Sequence, residues 1–116
     1  MTVPTDLRHS LTRLASTAHT ERVPNWSASI GIVVAGSDWL TCRAGADGVE
    51  ILDSVGTVDT TLHAIAEDPV RRWLINGVDF THLVRAGDMA IDGSYFDILL
   101  LSKVLGLRPD RREMVK

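Results

Sequence analysis

The sequence predicts an α+β fold in which a sheet packs against helices. Two observations favour it: segments with an apolar residue at every second position fill most of the first half, and helical spacing of apolar residues dominates the second half. The chain has 116 residues, of which 45% are hydrophobic and 23% are charged. This length and composition fit one globular domain with its own hydrophobic core.

The first helix is predicted over residues 5–18, where Leu7, Leu11 and Leu14 recur at helical spacing. Thr5 is the expected N-cap, because its side chain can accept a hydrogen bond from the first turn. Polar residues lie on the other sides of this helix. We therefore expect it to be amphipathic and to cover one face of the sheet.

Extended segments follow the first helix, each with a period of two residues. We predict strands over residues 29–34, 39–44, 49–53 and 60–66. The first three are separated by short turns rich in glycine and aspartate, which is typical of hairpins. The sequence therefore predicts an antiparallel meander at the start of the sheet.

The second half of the chain returns to helical spacing. A helix is predicted to start at residues 67–69, because acidic residues and a proline are typical of the first turn of a helix. A second short helix is predicted over residues 79–86. Residues 88–92 are too few for a helix and are predicted as a strand. The last helix is predicted to begin at Ser94, as its N-cap, and to end at Gly106.

This last helix is apolar on nearly every side, which requires burial on more than one side. Three partners are open: the protein's own core, an apolar ligand held between helix and sheet, or another chain across a dimer interface. The spacing alone does not choose among them. The two apolar stripes are Phe96, Leu99, Leu100 and Val104 on one side, and Ile98, Leu101 and Leu105 on another.

Residues 60–77 resemble the fourth strand and following helix of sterol carrier protein type 2 domains. The segment 83–93, Leu-Val-Arg-Ala-Gly-Asp-Met-Ala-Ile-Asp-Gly, resembles that family's helix, glycine-flanked strand and start of the final helix. Residues 95–107 stand where the family has its long apolar C-terminal helix. The resemblance covers about 45 residues by motif and nearly the whole chain by order of elements.

The resemblance implies a five-stranded, largely antiparallel sheet covered by helices. It also implies that the protein binds a sterol, fatty acyl chain or other lipid in an apolar pocket between sheet and helices, and it implies this pocket more firmly than transfer of the bound molecule. We expect a single lipid-binding-like domain over residues 1–107 and a charged, mobile tail over 108–116. The residues expected to line the pocket are Ile32, Val34, Leu52, Trp73, Phe80, Leu83, Met89, Ile91, Phe96, Leu100 and Val104.

Two other functions are considered. The first is a small cyclase or isomerase acting on an apolar substrate in the same cavity, with His63 and Asp59 as its best acid–base candidates. The second is a dimerising accessory or scaffold module that forms a homodimer through its last helix. The sequence has no Ser-His-Asp or glycine-rich phosphate motif, and its four histidines lack metal-ligand spacing. We therefore expect no catalytic set, metal or cofactor, and a buried, inert Cys42.

Charge and hydropathy exclude other classes of partner. The net charge of −3 lacks the basic excess that binding to nucleic acid needs. The longest uninterrupted apolar run, residues 98–101, is far shorter than the ~18 residues of a membrane span, so no integral span is expected. With one cysteine and no secretory leader, the expected location is cytoplasmic.

Overall fold

The computed structural model describes residues 3–107. The charged tail predicted for residues 108–116 lies outside this range. In the described part, the helices are α1 (Thr5–Ser16), α2 (Glu67–Leu74), α3 (Phe80–Arg85) and α4 (Tyr95–Val104), with a 3-10 turn at Thr20–Arg22. The strands are β1 (Ala28–Val34), β2 (Ser37–Gly45), β3 (Gly48–Leu52), β4 (Thr60–Ala64) and β5 (Met89–Asp92).

The strands form one sheet in the order β3-β2-β1-β4-β5. β1, β2 and β3 are the predicted antiparallel meander. β4 then pairs with β1 in parallel, and β5 closes the other edge antiparallel to β4. The predicted α+β fold with a largely antiparallel five-stranded sheet is therefore confirmed.

The connection between β3 and β4 crosses the sheet, because β4 lies beside β1 and not beside β3. Near its end, the backbone N–H of Asp59 donates to the carbonyl of Ser29 at 3.0 Å. Earlier in the connection, Val55 packs closely on β1, so that a Cβ atom added at Gly31 would lie 2.7 Å from Cγ1 of Val55. This connection covers the sheet face that points away from the helices.

The helices cover the other face, where the hydrophobic core lies. α1 packs on β3 and α2, α3 packs on β5, and α4 packs on β1 and the 3-10 turn. Leu7 and Leu11 are the buried residues of α1, which confirms the predicted amphipathic helix over the sheet. Cys42 has no exposed surface and belongs to this core, as predicted.

Several predicted boundaries are wrong by one or two residues. The N-cap of α1 is Pro4 and not Thr5, since the N–H of Arg8 donates to the carbonyl of Pro4 at 3.0 Å and so closes the first turn one residue earlier. β4 ends at Ala64, because Ala66 is already the N-cap of α2.

A bulge alters the alternation in β2. Ile32 pairs with Leu40 and Val33 pairs with Asp38, so Trp39 has no partner in the register. A strict period of two would put Trp39 on the face opposite Leu40. The extra residue instead lets Trp39 join the buried cluster that contains Leu40, with 3% of its surface exposed.

Candidate ligand site

Most of the residues predicted to line a pocket meet in the layer between sheet and helices. Four of these residues lie on strands β1 and β5, and three lie on helices α2 and α3. All are buried in the core cluster except Ile91, which is half-buried against it. These residues are Ile32, Val34, Met89 and Ile91 from the sheet, and Trp73, Phe80 and Leu83 from the helices.

The other four predicted residues lie elsewhere. Val104 is fully buried on α4. Leu52 pairs with Thr41, which places it on the sheet face that the β3–β4 connection crosses. Phe96 and Leu100 lie on the outer side of α4, with Phe96 63% exposed and Leu100 half-buried. The structure therefore does not bring Leu52, Phe96 and Leu100 together with the residues of the core.

The orientation of α4 explains this division. Its stripe of Ile98, Leu101 and Leu105 faces the core, with at most 3% of each residue exposed. Ser102 is also buried, and it accepts a hydrogen bond of 3.3 Å from Nε1 of Trp73. One of the two predicted stripes is thus covered by the protein's own core, while the other reaches the surface at its N-terminal end.

A small cavity of about 10 Å³ lies where α3 and the end of α2 meet α4. A space of this size holds one water molecule at most. Three of its apolar residues are not among those predicted for the pocket. Leu99 belongs to a predicted stripe of α4, and Val78 and Leu107 lie just outside predicted helices, where spacing gives no signal. The lining residues are Trp73, Val78, Asp79, Phe80, Leu99, Ser102 and Leu107.

A larger cleft of about 570 Å³ lies at the β2–β3 hairpin, and its lining combines charged residues with small and apolar ones. Its charged residues are Arg43, Asp47, Glu50 and Asp59, and Nη1 of Arg43 lies 3.6 Å from Oε1 of Glu50. None of the residues predicted to bind a ligand lines it. This cleft is open to solvent and is not an enclosed cavity.

The proposed acid–base pair is not assembled. His63 is exposed on β4, and its neighbour Leu62 is the one that faces the core. Asp59 Oδ2 accepts a hydrogen bond of 2.9 Å from the N–H of Ser29. Asp59 lies four positions before His63, which along an extended chain is a distance of roughly 13 Å. Within residues 3–107, no group of three or more His, Cys, Asp or Glu side chains is placed to hold a metal ion.

Two buried groups have unusual surroundings. Burial raises the pKa of the Cys42 thiol from 9.0 to about 12, because the core disfavours the thiolate. Nε1 of Trp39 is buried and has no hydrogen-bond partner among the described residues. Both side chains belong to the core cluster beneath the helices.

In the described range, no helix has the length and apolar character that crossing a bilayer requires.

Together, the helix-covered mixed sheet and the apolar layer beneath its helices define a known class of fold. The sequence matches no family model, and a search of curated proteins found no match. Solved structures with this arrangement do match, and several of them are sterol carrier protein 2 or related proteins. The chain has the sterol carrier protein 2 fold, as the sequence resemblance predicted.

Three solved structures illustrate the likeness. Palmitated SCP2L2 from Aedes aegypti is 11% identical with a TM-score of 0.64, over 90% of this chain and 95% of its own. The ubiquinone synthesis protein UbiJ-SCP2 is 18% identical with a TM-score of 0.60, over 90% and 96% of the two chains. The inverting sec-alkylsulfatase Pisa1 from Pseudomonas sp. is 14% identical with a TM-score of 0.63, over 84% of this chain. This chain spans only 15% of that enzyme's length.

Proposed function

We propose that this protein binds one apolar molecule, of the fatty acyl or sterol class, between its sheet and helices. The observation that carries the proposal is the apolar layer beneath α2, α3 and α4, in a fold of which one solved example is palmitated. Among residues 3–107 the buried polar side chains are those of Thr41, Thr60 and Ser102, and none is charged. Affinity would come from burial of apolar area, at about 25 cal/mol per Å².

Binding requires the helices to separate, because the cavity between α3 and α4 holds only about 10 Å³. α3 is the element best suited to move, since it has six residues and short helices have little stability of their own. Gly77 and Gly87 flank it with positive φ angles of 71° and 84°. Such residues can absorb the backbone rotation that a moving helix needs.

Two hydrogen bonds beside this cavity join α4 to its neighbours, one to α3 and one to α2. Oη of Tyr95 donates to Oγ1 of Thr81 at 3.0 Å, and Nε1 of Trp73 donates to Oγ of Ser102 at 3.3 Å. The first bond lies at the surface and costs little to exchange for water. The second is buried, and its two groups could be satisfied by the polar end of a ligand.

The first test is native mass spectrometry of the purified protein, followed by denaturing extraction and by titration with palmitate and cholesterol. We expect one apolar molecule per chain. A chain that purifies without ligand and binds neither probe would contradict the proposal. A charged or polar ligand at the hairpin cleft would contradict it as well.

A matched pair of variants locates the site. Leu99 lines the cavity and Leu100 does not, although the two are neighbours on α4 and both are half-buried. Leu99→Trp places a larger side chain in the cavity between α3 and α4, and we expect this variant to weaken palmitate binding at least tenfold. Leu100→Trp should leave palmitate binding unchanged. Equal effects of the two variants would place the ligand elsewhere. His63→Ala should have no effect, because His63 lies outside the apolar layer.

The same proposal extends to transfer of the bound molecule between membranes. Its test is movement of a fluorescent fatty acid from donor to acceptor vesicles, with a rate that rises in proportion to protein concentration. We expect Leu99→Trp to abolish the protein-dependent rate. A protein that binds palmitate without raising this rate would be a binding or storage module.

A further inference from the structure

We propose that the exposed face of α4 docks on a phospholipid surface, with Phe96 as the side chain that enters the interface. Phe96 is 63% exposed and Tyr95 is 40% exposed, and both begin the helix. Leu99 and Leu100 are half-buried and lie three and four residues after Phe96, so they share its face of the helix. This docking goes beyond the binding of an interior ligand and does not require one.

The start of α4 is held rigidly, so that Phe96 is presented on a fixed backbone. The carboxylate of Asp97 accepts hydrogen bonds from Nε1 of Trp26 at 3.0 Å and from Oγ1 of Thr60 at 2.8 Å. A helix end that is already ordered loses little backbone entropy when its exposed side chain is buried at an interface.

The size of this face favours a lipid surface over a second protein chain. A fully exposed aromatic side chain offers roughly 150–250 Å², so Phe96, Tyr95, Leu99 and Leu100 together expose on the order of 300 Å². Each partner of a stable dimer contributes about 800 Å². A patch too small for a dimer is still sufficient for one or two side chains to enter a bilayer interface, where aromatic residues are favoured.

The charges beside the face also suit phospholipid headgroups. Lys103 is exposed and lies one turn after Leu99 and Leu100 on the same side of α4. Arg22 is exposed beside it, with Nη1 3.5 Å from the carbonyl oxygen of Lys103. Two cations at the end of an apolar stripe can contact phosphate groups while the aromatic end enters the membrane.

Ile65 provides a matched control. Its exposed fraction of 62% is nearly the same as that of Phe96. Ile65 directly follows the C-terminal end of β4, whereas α4 is hydrogen-bonded to Thr60 at the other end of that strand. The probes are vesicles of phosphatidylcholine alone and of phosphatidylcholine with phosphatidylglycerol, and binding is measured by co-sedimentation of the full chain. We expect Phe96→Ala to weaken binding roughly tenfold. Ile65→Ala should change binding by less than twofold.

The position of Phe96 in the bilayer is tested with Phe96→Trp, whose fluorescence should be quenched by brominated phosphatidylcholine more than that of the unaltered chain. Lys103→Glu should weaken binding to vesicles with phosphatidylglycerol more than to phosphatidylcholine alone. The proposal is overturned by absence of vesicle binding, by equal effects of Phe96→Ala and Ile65→Ala, or by lack of quenching. A dimer in sedimentation equilibrium that Phe96→Ala dissociates would assign the face to a second copy and also overturn it.

Discussion

The indole Nε1 of Trp26 donates a hydrogen bond of 3.0 Å to Oδ1 of Asp97, which joins the segment before β1 to the first turn of α4. The other oxygen of the same carboxylate accepts from Oγ1 of Thr60 at 2.8 Å. That hydroxyl in turn accepts from the N–H of Ser94, the N-cap of α4, at 3.0 Å. One carboxylate thus fixes the start of the last helix to two separate parts of the fold.

Replacing this carboxylate should destabilise the protein. We expect Asp97→Ala to lower the free energy of unfolding by about 2–3 kcal/mol, because it removes two hydrogen bonds to a charged group and leaves the buried hydroxyl of Thr60 without its acceptor. Asp97→Asn keeps one acceptor and should cost about 1 kcal/mol. Urea denaturation measures both. Asp92→Ala, at an exposed position nearby, is the control, and equal losses at the two positions would contradict the role of the network.

Gly93→Ala should be strongly destabilising, by about 2 kcal/mol or more. Gly93 has a φ of 124°, and a Cβ atom there would lie 2.8 Å from Oγ1 of Thr60 and 2.9 Å from the carbonyl oxygen of Asp59. Two other glycines distinguish the effect of the positive φ angle from that of the steric clash. Within residues 3–107, no atom lies within 4 Å of a Cβ added at Gly36 (φ 80°) or at Gly56. Thermal unfolding should show an intermediate loss for Gly36→Ala and almost none for Gly56→Ala, and a different order would refute the steric argument.

The buried tryptophans test the value of one hydrogen bond. Trp73 is 1% exposed and Trp39 is 3% exposed, but only the first donates to a hydroxyl, that of Ser102. Trp73→Phe and Trp39→Phe remove similar volumes, so we expect the first to cost about 1 kcal/mol more in the free energy of unfolding. Chemical denaturation of the two variants provides the comparison. A larger loss at Trp39 would mean that its Nε1 has a partner in solution.

The buried thiol of Cys42 should make stability fall at high pH. Its pKa is raised from 9.0 to about 12, so folding favours the neutral thiol, and its contribution is fully present below pH 9.0 and is lost towards pH 12. Over that window stability should decline by about 1.4 kcal/mol per pH unit more than in Cys42→Ala, as measured by urea midpoints at several pH values. Fast reaction of the native protein with a thiol reagent at neutral pH would contradict this burial.

Arg71 links α1 to α2 by binding both carboxylate oxygens of Asp6 at 2.8 Å. These hydrogen bonds hold the pKa of Asp6 below its ordinary value of 3.8. The stabilisation is therefore present above pH 3.8 and is lost as the pH falls through the lowered value. NMR titration of Asp6 should show the lowered pKa, and Arg71→Gln should return it towards 3.8. An unchanged titration in that variant would exclude Arg71 as the cause.

Much of the fold could be predicted from the sequence, because its signals are local. Apolar spacing and turn residues identified every helix of more than one turn and every strand in the described range, to within one or two residues at most boundaries. Ser94 was predicted as the N-cap of α4, and its hydroxyl accepts from the N–H of Asp97. The order of elements and the motifs in residues 60–107 also predicted the sterol carrier protein 2 fold, which the solved structures confirm.

The sequence by itself determined which segments are helices and strands, since caps, turns and periodicity act over a few residues. Tertiary structure alone decided that β4 pairs with β1 in parallel, that Trp39 joins the core through a bulge, and that Phe96 and Leu100 lie outside while Ile98 and Leu101 lie inside. Both stripes of α4 are apolar, so local spacing could not say which one faces the sheet. That choice depends on how the sheet and α2 and α3 fill the space beside α4, which is a property of the packed whole.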